Sequence, residues 1–191
     1  RETRKLSQFE AQICSEVDQL VWVTDEDRSA VLQVTDGAGV ASIEASPTIP
    51  ICVDCDDMSV IPPSSNPFRV TFLGGLHWPP NAAGIQWFVS EVWERIAAEQ
   101  PSAQLTVIGK DPPTALVTAA EGSSSIEITG YVDDPTPYLA ATAAFIVPLH
   151  AGGGMRVKIL DAWRWGLPVV STSVGAEGVS IDDGENILIA D

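Results

Sequence analysis

From residue 69 onward the chain alternates short apolar runs with longer stretches in which apolar residues recur every three or four positions. The runs at 69–74, 104–109, 126–131, 143–148, 168–172 and 186–190 read as strands, and 80–99, 113–120, 135–142 and 155–165 as amphipathic helices. Such alternation predicts an α/β domain built on a parallel sheet wound on both faces. Ligands in these sheets bind beyond the C-terminal strand ends. The loops on that rim are Gly74-Gly-Leu-His-Trp78, Gly109-Lys-Asp111, Gly130-Tyr-Val132, Leu149-His-Ala-Gly-Gly-Gly154 and Thr172-Ser-Val-Gly175. The first third is less regular. Leu6, Phe9, Ile13 and Val17 form one stripe of a helix over 2–17, and 19–24 reads as a strand. Thr24-Asp-Glu-Asp27, a capping-box variant, starts a helix reaching about Val34. Segment 35–48 is turn-rich, 49–53 reads as a strand, and Ile61-Pro-Pro-Ser-Ser-Asn-Pro67 is a stiff linker where we expect a domain boundary.

The densest chemistry lies between Ala151 and Gly178. Gly152, Gly153 and Gly154 let backbone approach a ligand and open a helix whose free N–H groups and dipole favour negative charge. Arg156 and Lys158 add cations, which a helix N-terminus disfavours unless an anion compensates them. The candidate anion donors are therefore the N–H groups of Gly154, Met155 and Arg156 with the side chains of Arg156 and Lys158. A solvated Arg-Lys pair is the plainer alternative. Asp161 shares a helix face with Lys158, so a surface ion pair between them is its plainer reading.

The run GGGMRVKILDAWRWGLPVVSTSVGAEG, with Phe72-Leu-Gly-Gly-Leu76, Trp78-Pro-Pro-Asn81, Val107-Ile-Gly109, Gly130-Tyr-Val-Asp-Asp134 and Val147-Pro-Leu149 upstream in order, resembles the donor domain of group 1 glycosyltransferases of the GT-B fold. The resemblance implies a Rossmann-like C-terminal domain over 67–191 that binds a nucleotide diphosphate sugar, with 1–60 a remnant of the N-terminal acceptor-binding lobe and hinge. It implies retention of configuration and a hexosyltransferase, with the base near Tyr131 and Val132 and Lys110 near the ribose. Arg156 and Lys158 become the catalytic pair on the leaving diphosphate. Two glutamates eight residues apart bracket the family's helix; here those positions are Gly153 and Asp161, so the ribose contact falls to Asp161 and the sugar-contacting carboxylate is missing. Gly75 and His77 join the donor site from the first rim loop. His150 lies in another rim loop, and Gly175-Ala-Glu-Gly178 is a candidate lining of the sugar pocket. A non-catalytic nucleotide-sugar binding module and a GT-B nucleotide-sugar epimerase are the alternatives.

A net charge of −16 argues against nucleic acid and anionic membrane as partners. With only ten Lys and Arg in 191 residues, the Arg156/Lys158 pair beside a glycine run is informative. Three cysteines, Cys14, Cys52 and Cys55, suggest no disulfide framework, and Cys52-x-x-Cys55 lacks the second ligand pair of a zinc site. Asp54-Cys-Asp56-Asp57 resembles the metal-binding Asp-x-Asp of GT-A enzymes but sits at the expected hinge, so no metal and no cofactor beyond the donor substrate are expected. No apolar run reaches the ~20 residues of a membrane span. The expectation is a cytoplasmic enzyme of polysaccharide biosynthesis, peripheral to the inner membrane through its N-terminal lobe. Its acceptor is a glycan, lipid or small molecule, and transfer by these 191 residues alone is not expected.

Overall fold

The computed structural model describes residues 2–36, 38–54, 61–62 and 67–191, apart from the side chains of 2–4 and 38. They form two compact units, 1–52 and 53–191.

The first unit is helical. Helix α1 (Glu2–Glu16), α2 (Asp25–Leu32) and α3 (Ala38–Ala45) bury Cys14, Val31 and Ile43 between them. The cap expected at Thr24 forms, its Oγ1 accepting from the N–H of Asp27 at 3.1 Å. The helix expected over 2–17 forms as α1, with Leu6, Phe9, Ile13 and Val17 exposed within this unit and Cys14 in its core. Two other expectations fail. The strands expected at 19–24 and 49–53 reduce to one bridge between Trp22 and Thr48. Pro47 and Pro50 flank that bridge and have no N–H to extend a ladder. The segment read as turns holds α3, whose alanines favour helix while giving little amphipathic signal.

The second unit is the expected doubly wound sheet. Strands β1 (Arg69–Leu73), β2 (Gln104–Ile108), β3 (Ile126–Gly130), β4 (Ala144–Val147), β5 (Val169–Ser171) and β6 (Leu188–Ile189) pair in the order β3-β2-β1-β4-β5-β6. Every pairing is parallel. Strand β4 shows why both faces must be covered. Phe145 and Val147 enter a core with Leu139, Ile159 and Ala162, whereas Ile146 points into another with Ile85, Trp93 and Leu116. That period-2 alternation is apolar on both sides, so helices are required above and below.

The long helix expected at 80–99 runs as α4 (Pro79–Trp87), a π-helical segment (Phe88–Trp93) and α5 (Glu94–Glu99). Helices α6 (Thr114–Glu121), α7 (Thr136–Leu139) and α8 (Val157–Arg164) follow. Helix α8 ends where Gly166 adopts φ +75°, with Gly166 N–H on the Trp163 carbonyl and Leu167 N–H on the Ala162 carbonyl. No described helix is long and apolar enough to cross a membrane.

Candidate functional site

In the order β3-β2-β1-β4-β5-β6 all strands run parallel, but successive strands are added outward on one side of β1 and then on the other. The strand order therefore reverses between β1 and β4, and the crevice beyond those two strand ends is the expected ligand site. The loop after β1 forms one wall and the glycine loop after β4 the other. Hydrogen bonds tie the neighbouring loops into one rim. Gly109 N–H reaches the Gly130 carbonyl at 2.9 Å, and Leu76 N–H reaches the Lys110 carbonyl at 2.9 Å.

Lys158 spans the crevice. Its Nζ donates to Asn81 Oδ1 at 2.9 Å and stands 4.7 Å from the centre of the Phe72 ring. The approach depends on Gly74, because a Cβ there would lie 2.6 Å from Nζ. Burial pushes the Lys158 pKa down to about 8, and the neighbouring Arg156 charge adds to the shift.

Arg156 takes another posture. It is 5% exposed, and Nη1 donates to the carbonyls of Gly153 at 2.6 Å and Gly154 at 2.8 Å. Its guanidinium carbon lies 5.8 Å from the Trp78 ring centre. The side chain thus folds under its own glycine loop. Among the described residues Nε and Nη2 are buried without a hydrogen-bond partner, a costly state for a cation. Burial lowers the Arg156 pKa, and the charge of Glu177 opposes the shift. Among the described residues no backbone acceptor takes the N–H groups of Gly154, Met155 or Arg156. Gly152 and Gly154 use φ of +114° and +81°, which glycine alone adopts readily.

The remaining expected residues surround this centre unequally. His77 is exposed with its ring against Gly75, in the same loop as Gly74. Asp161 is half-buried one turn beyond Lys158, and no ion pair joins the two among the described residues; Lys158 is held by Asn81 instead. Tyr131, 70% exposed, and Val132 follow β3, two strands from the crevice and so about 10 Å away. The side chain of Lys110 is exposed beyond β2. His150 is exposed, its ring edge-on to Trp87 at 4.2 Å. The residues sequence reasoning missed are Asn81, Trp78 and Gly74. Their signal was Gly74-Gly-Leu-His-Trp78 and Trp78-Pro-Pro-Asn81, where an amide sits in the first turn of α4. Among the described residues no cluster of His, Cys, Asp or Glu could hold a metal. Residues 55–57, within the Cys52-x-x-Cys55 and Asp54-Cys-Asp56-Asp57 motifs, lie outside the described ones.

Comparison with known proteins identifies what family carries this rim. The model of the glycosyl transferases group 1 family matches residues 67–191. The chain belongs to that family. As a group 1 glycosyltransferase sequence, it is 31% identical over 129 residues to an uncharacterized 44.6 kDa protein of the Klebsiella pneumoniae cps region, covering 64% of this chain and 33% of that one. It is 32% identical over 98 residues to the lipopolysaccharide core biosynthesis glycosyltransferase LpsE of Rhizobium meliloti, covering 49% and 28%. The chain thus spans about a third of the length of these relatives. In fold it is similar to Anabaena HepE, whose crystal structure holds UDP-glucose, at a TM-score of 0.73 with 14% identity over 98% of this chain and 54% of that one. The sheet is that of a Rossmann-like GT-B glycosyltransferase domain.

Proposed function

We propose that this chain is the donor half of a retaining, hexose-transferring group 1 glycosyltransferase, and that its crevice binds a nucleotide diphosphate sugar. The observation that carries the reading is Arg156. A nine-tenths buried guanidinium with two unpartnered nitrogens, beside Lys158 and three free backbone N–H groups, is built for a multivalent anion. A nucleotide diphosphate sugar presents that anion, and its leaving charge develops on the β-phosphate, where fixed donors and cations act most strongly. Arg156 and Lys158 neutralise the departing diphosphate, Asp161 accepts from the ribose hydroxyls, and the loop at Tyr131 and Val132 meets the base about two strand spacings away. Lys110 lies near the ribose, and Gly75 and His77 close the phosphate side. HepE's UDP-glucose supports UDP as the nucleotide. The cps-region and lipopolysaccharide relatives support a role in polysaccharide biosynthesis. The first unit is read as part of the acceptor lobe; the acceptor is unassigned.

Transfer requires donor and acceptor held in one cleft. We therefore expect these 191 residues to bind donor without transferring sugar at the rate of a full-length relative. Calorimetry with UDP, GDP and ADP against their nucleosides tests the reading. A diphosphate should bind far more tightly than its nucleoside, and equal affinities would overturn the proposal.

A further inference from the structure

We infer that Asn81 is a positioning residue that holds Lys158 in place, and in its charged form, for the anion. The inference rests on the nucleotide-diphosphate reading above and extends it to the opposite wall of the crevice. Asn81 is 5% exposed at the start of α4, and its amide is committed at both ends. Nδ2 donates to the Gly75 carbonyl at 2.9 Å, which fixes the amide orientation and turns Oδ1 toward Lys158 Nζ. The α4 N-terminus is itself pinned, with Asn81 N–H on the Trp78 carbonyl at 3.1 Å.

The surroundings of Nζ make the amide decisive. From β1 and its loop Lys158 meets the Phe72 ring and the bare backbone of Gly74, and from α4 the amide of Asn81. None of these titrates, and the charge bearing on Lys158 is the like charge of Arg156. In this setting Asn81 Oδ1 is the oxygen that favours an ammonium over a neutral amine. One Nζ hydrogen goes to Asn81, leaving two for a phosphate in the crevice.

The test compares the native chain with Asn81→Asp and Asn81→Ala. Its three lysines make Lys158 resolvable in a 13Cε NMR titration of unliganded protein. Replacing the amide by a carboxylate should raise the Lys158 midpoint by about one pH unit or more, and removing the acceptor should lower it. Both variants should weaken inorganic pyrophosphate about tenfold, the alanine by loosening Nζ and the aspartate by repelling the anion. Asn81→Asp loses the donor to Gly75, so circular dichroism checks each fold; either variant that folds carries the test. Unmoved midpoints would overturn the inference, as would moved midpoints with native pyrophosphate affinity. If the native chain binds neither pyrophosphate nor UDP, the proposed function fails, while the midpoints still decide the Asn81–Lys158 coupling.

Discussion

Arg156 Nη1 lies 2.6 Å from the carbonyl oxygen of Gly153, so the cation proposed to face the diphosphate also fastens its own glycine loop. The same nitrogen reaches Gly154, while Nε and Nη2 have no partner among the described residues. A lysine could keep the charge but not a planar fork that braces two carbonyls and faces an anion at once. Arg156→Lys should therefore weaken pyrophosphate about tenfold despite the conserved charge, a difference of about 1.4 kcal/mol. Calorimetry reads it, and unchanged affinity would mean that charge alone matters here.

Lys158 gives a pH signature. Its pKa falls from 10.5 to about 8, so the folded chain holds this proton less tightly than the unfolded chain does. Stability should accordingly rise with pH between about 8 and 10.5, the window in which the unfolded state binds more protons. Binding has the opposite sign. A phosphate restores the charged form, so UDP affinity should fall as pH climbs above about 8, and binding near that pH should take up protons. Calorimetry in two buffers of different ionisation enthalpy measures the uptake; none at pH 8 would remove Lys158 from the anion site. Lys158→Ala should abolish the uptake and weaken UDP about tenfold or more.

The second unit was legible because its strands are apolar on both faces and helices such as α6 and α8 are amphipathic, so periodicity and length agree. In the first unit, α3 is built of small residues whose pattern carries almost no period, and Pro47 and Pro50 cut short a pairing that composition favours. At the site, Gly152 to Lys158 announced themselves through glycine conformational freedom and paired cations. Asn81 showed only as part of Trp78-Pro-Pro-Asn81 and without a role, because its importance arises from a contact with a residue 77 positions away. The inward fold of Arg156 was equally hidden, since it follows from which carbonyls the glycine loop presents.

Asp161 separates two halves of the ligand. A carboxylate beside a diphosphate repels it, whereas beside two hydroxyls it accepts hydrogen bonds. Lys158 is held by Asn81 and leaves the Asp161 carboxylate available. Asp161→Asn should weaken UDP while leaving pyrophosphate affinity almost unchanged. Equal losses for both ligands would place this carboxylate near the phosphates and refute the ribose assignment.

Two glycines, Gly74 in the loop before α4 and Gly84 within it, should separate ligand binding from folding. A Cβ at position 74 would lie 2.6 Å from Lys158 Nζ and 2.9 Å from Asn81 Nδ2. Nζ is the far end of a flexible chain and can withdraw while the Asn81 amide shifts by a few tenths of an ångström, so Gly74→Ala should lose less Tm than Gly84→Ala yet bind UDP about tenfold less tightly. At Gly84 a Cβ would run into the Pro148 carbonyl oxygen, backbone held between β4 and the glycine loop. Alanine normally gains about 1 kcal/mol over glycine inside a helix. Here the overlap should outweigh that gain, because overpacking against rigid backbone costs about 1–3 kcal/mol. Gly84→Ala should therefore lower Tm. Thermal unfolding and UDP calorimetry on both variants check the contrast. A Tm loss for Gly74→Ala as large as that for Gly84→Ala, or a stabilised Gly84→Ala, would show that the close approaches at the two positions do not govern binding and folding as argued.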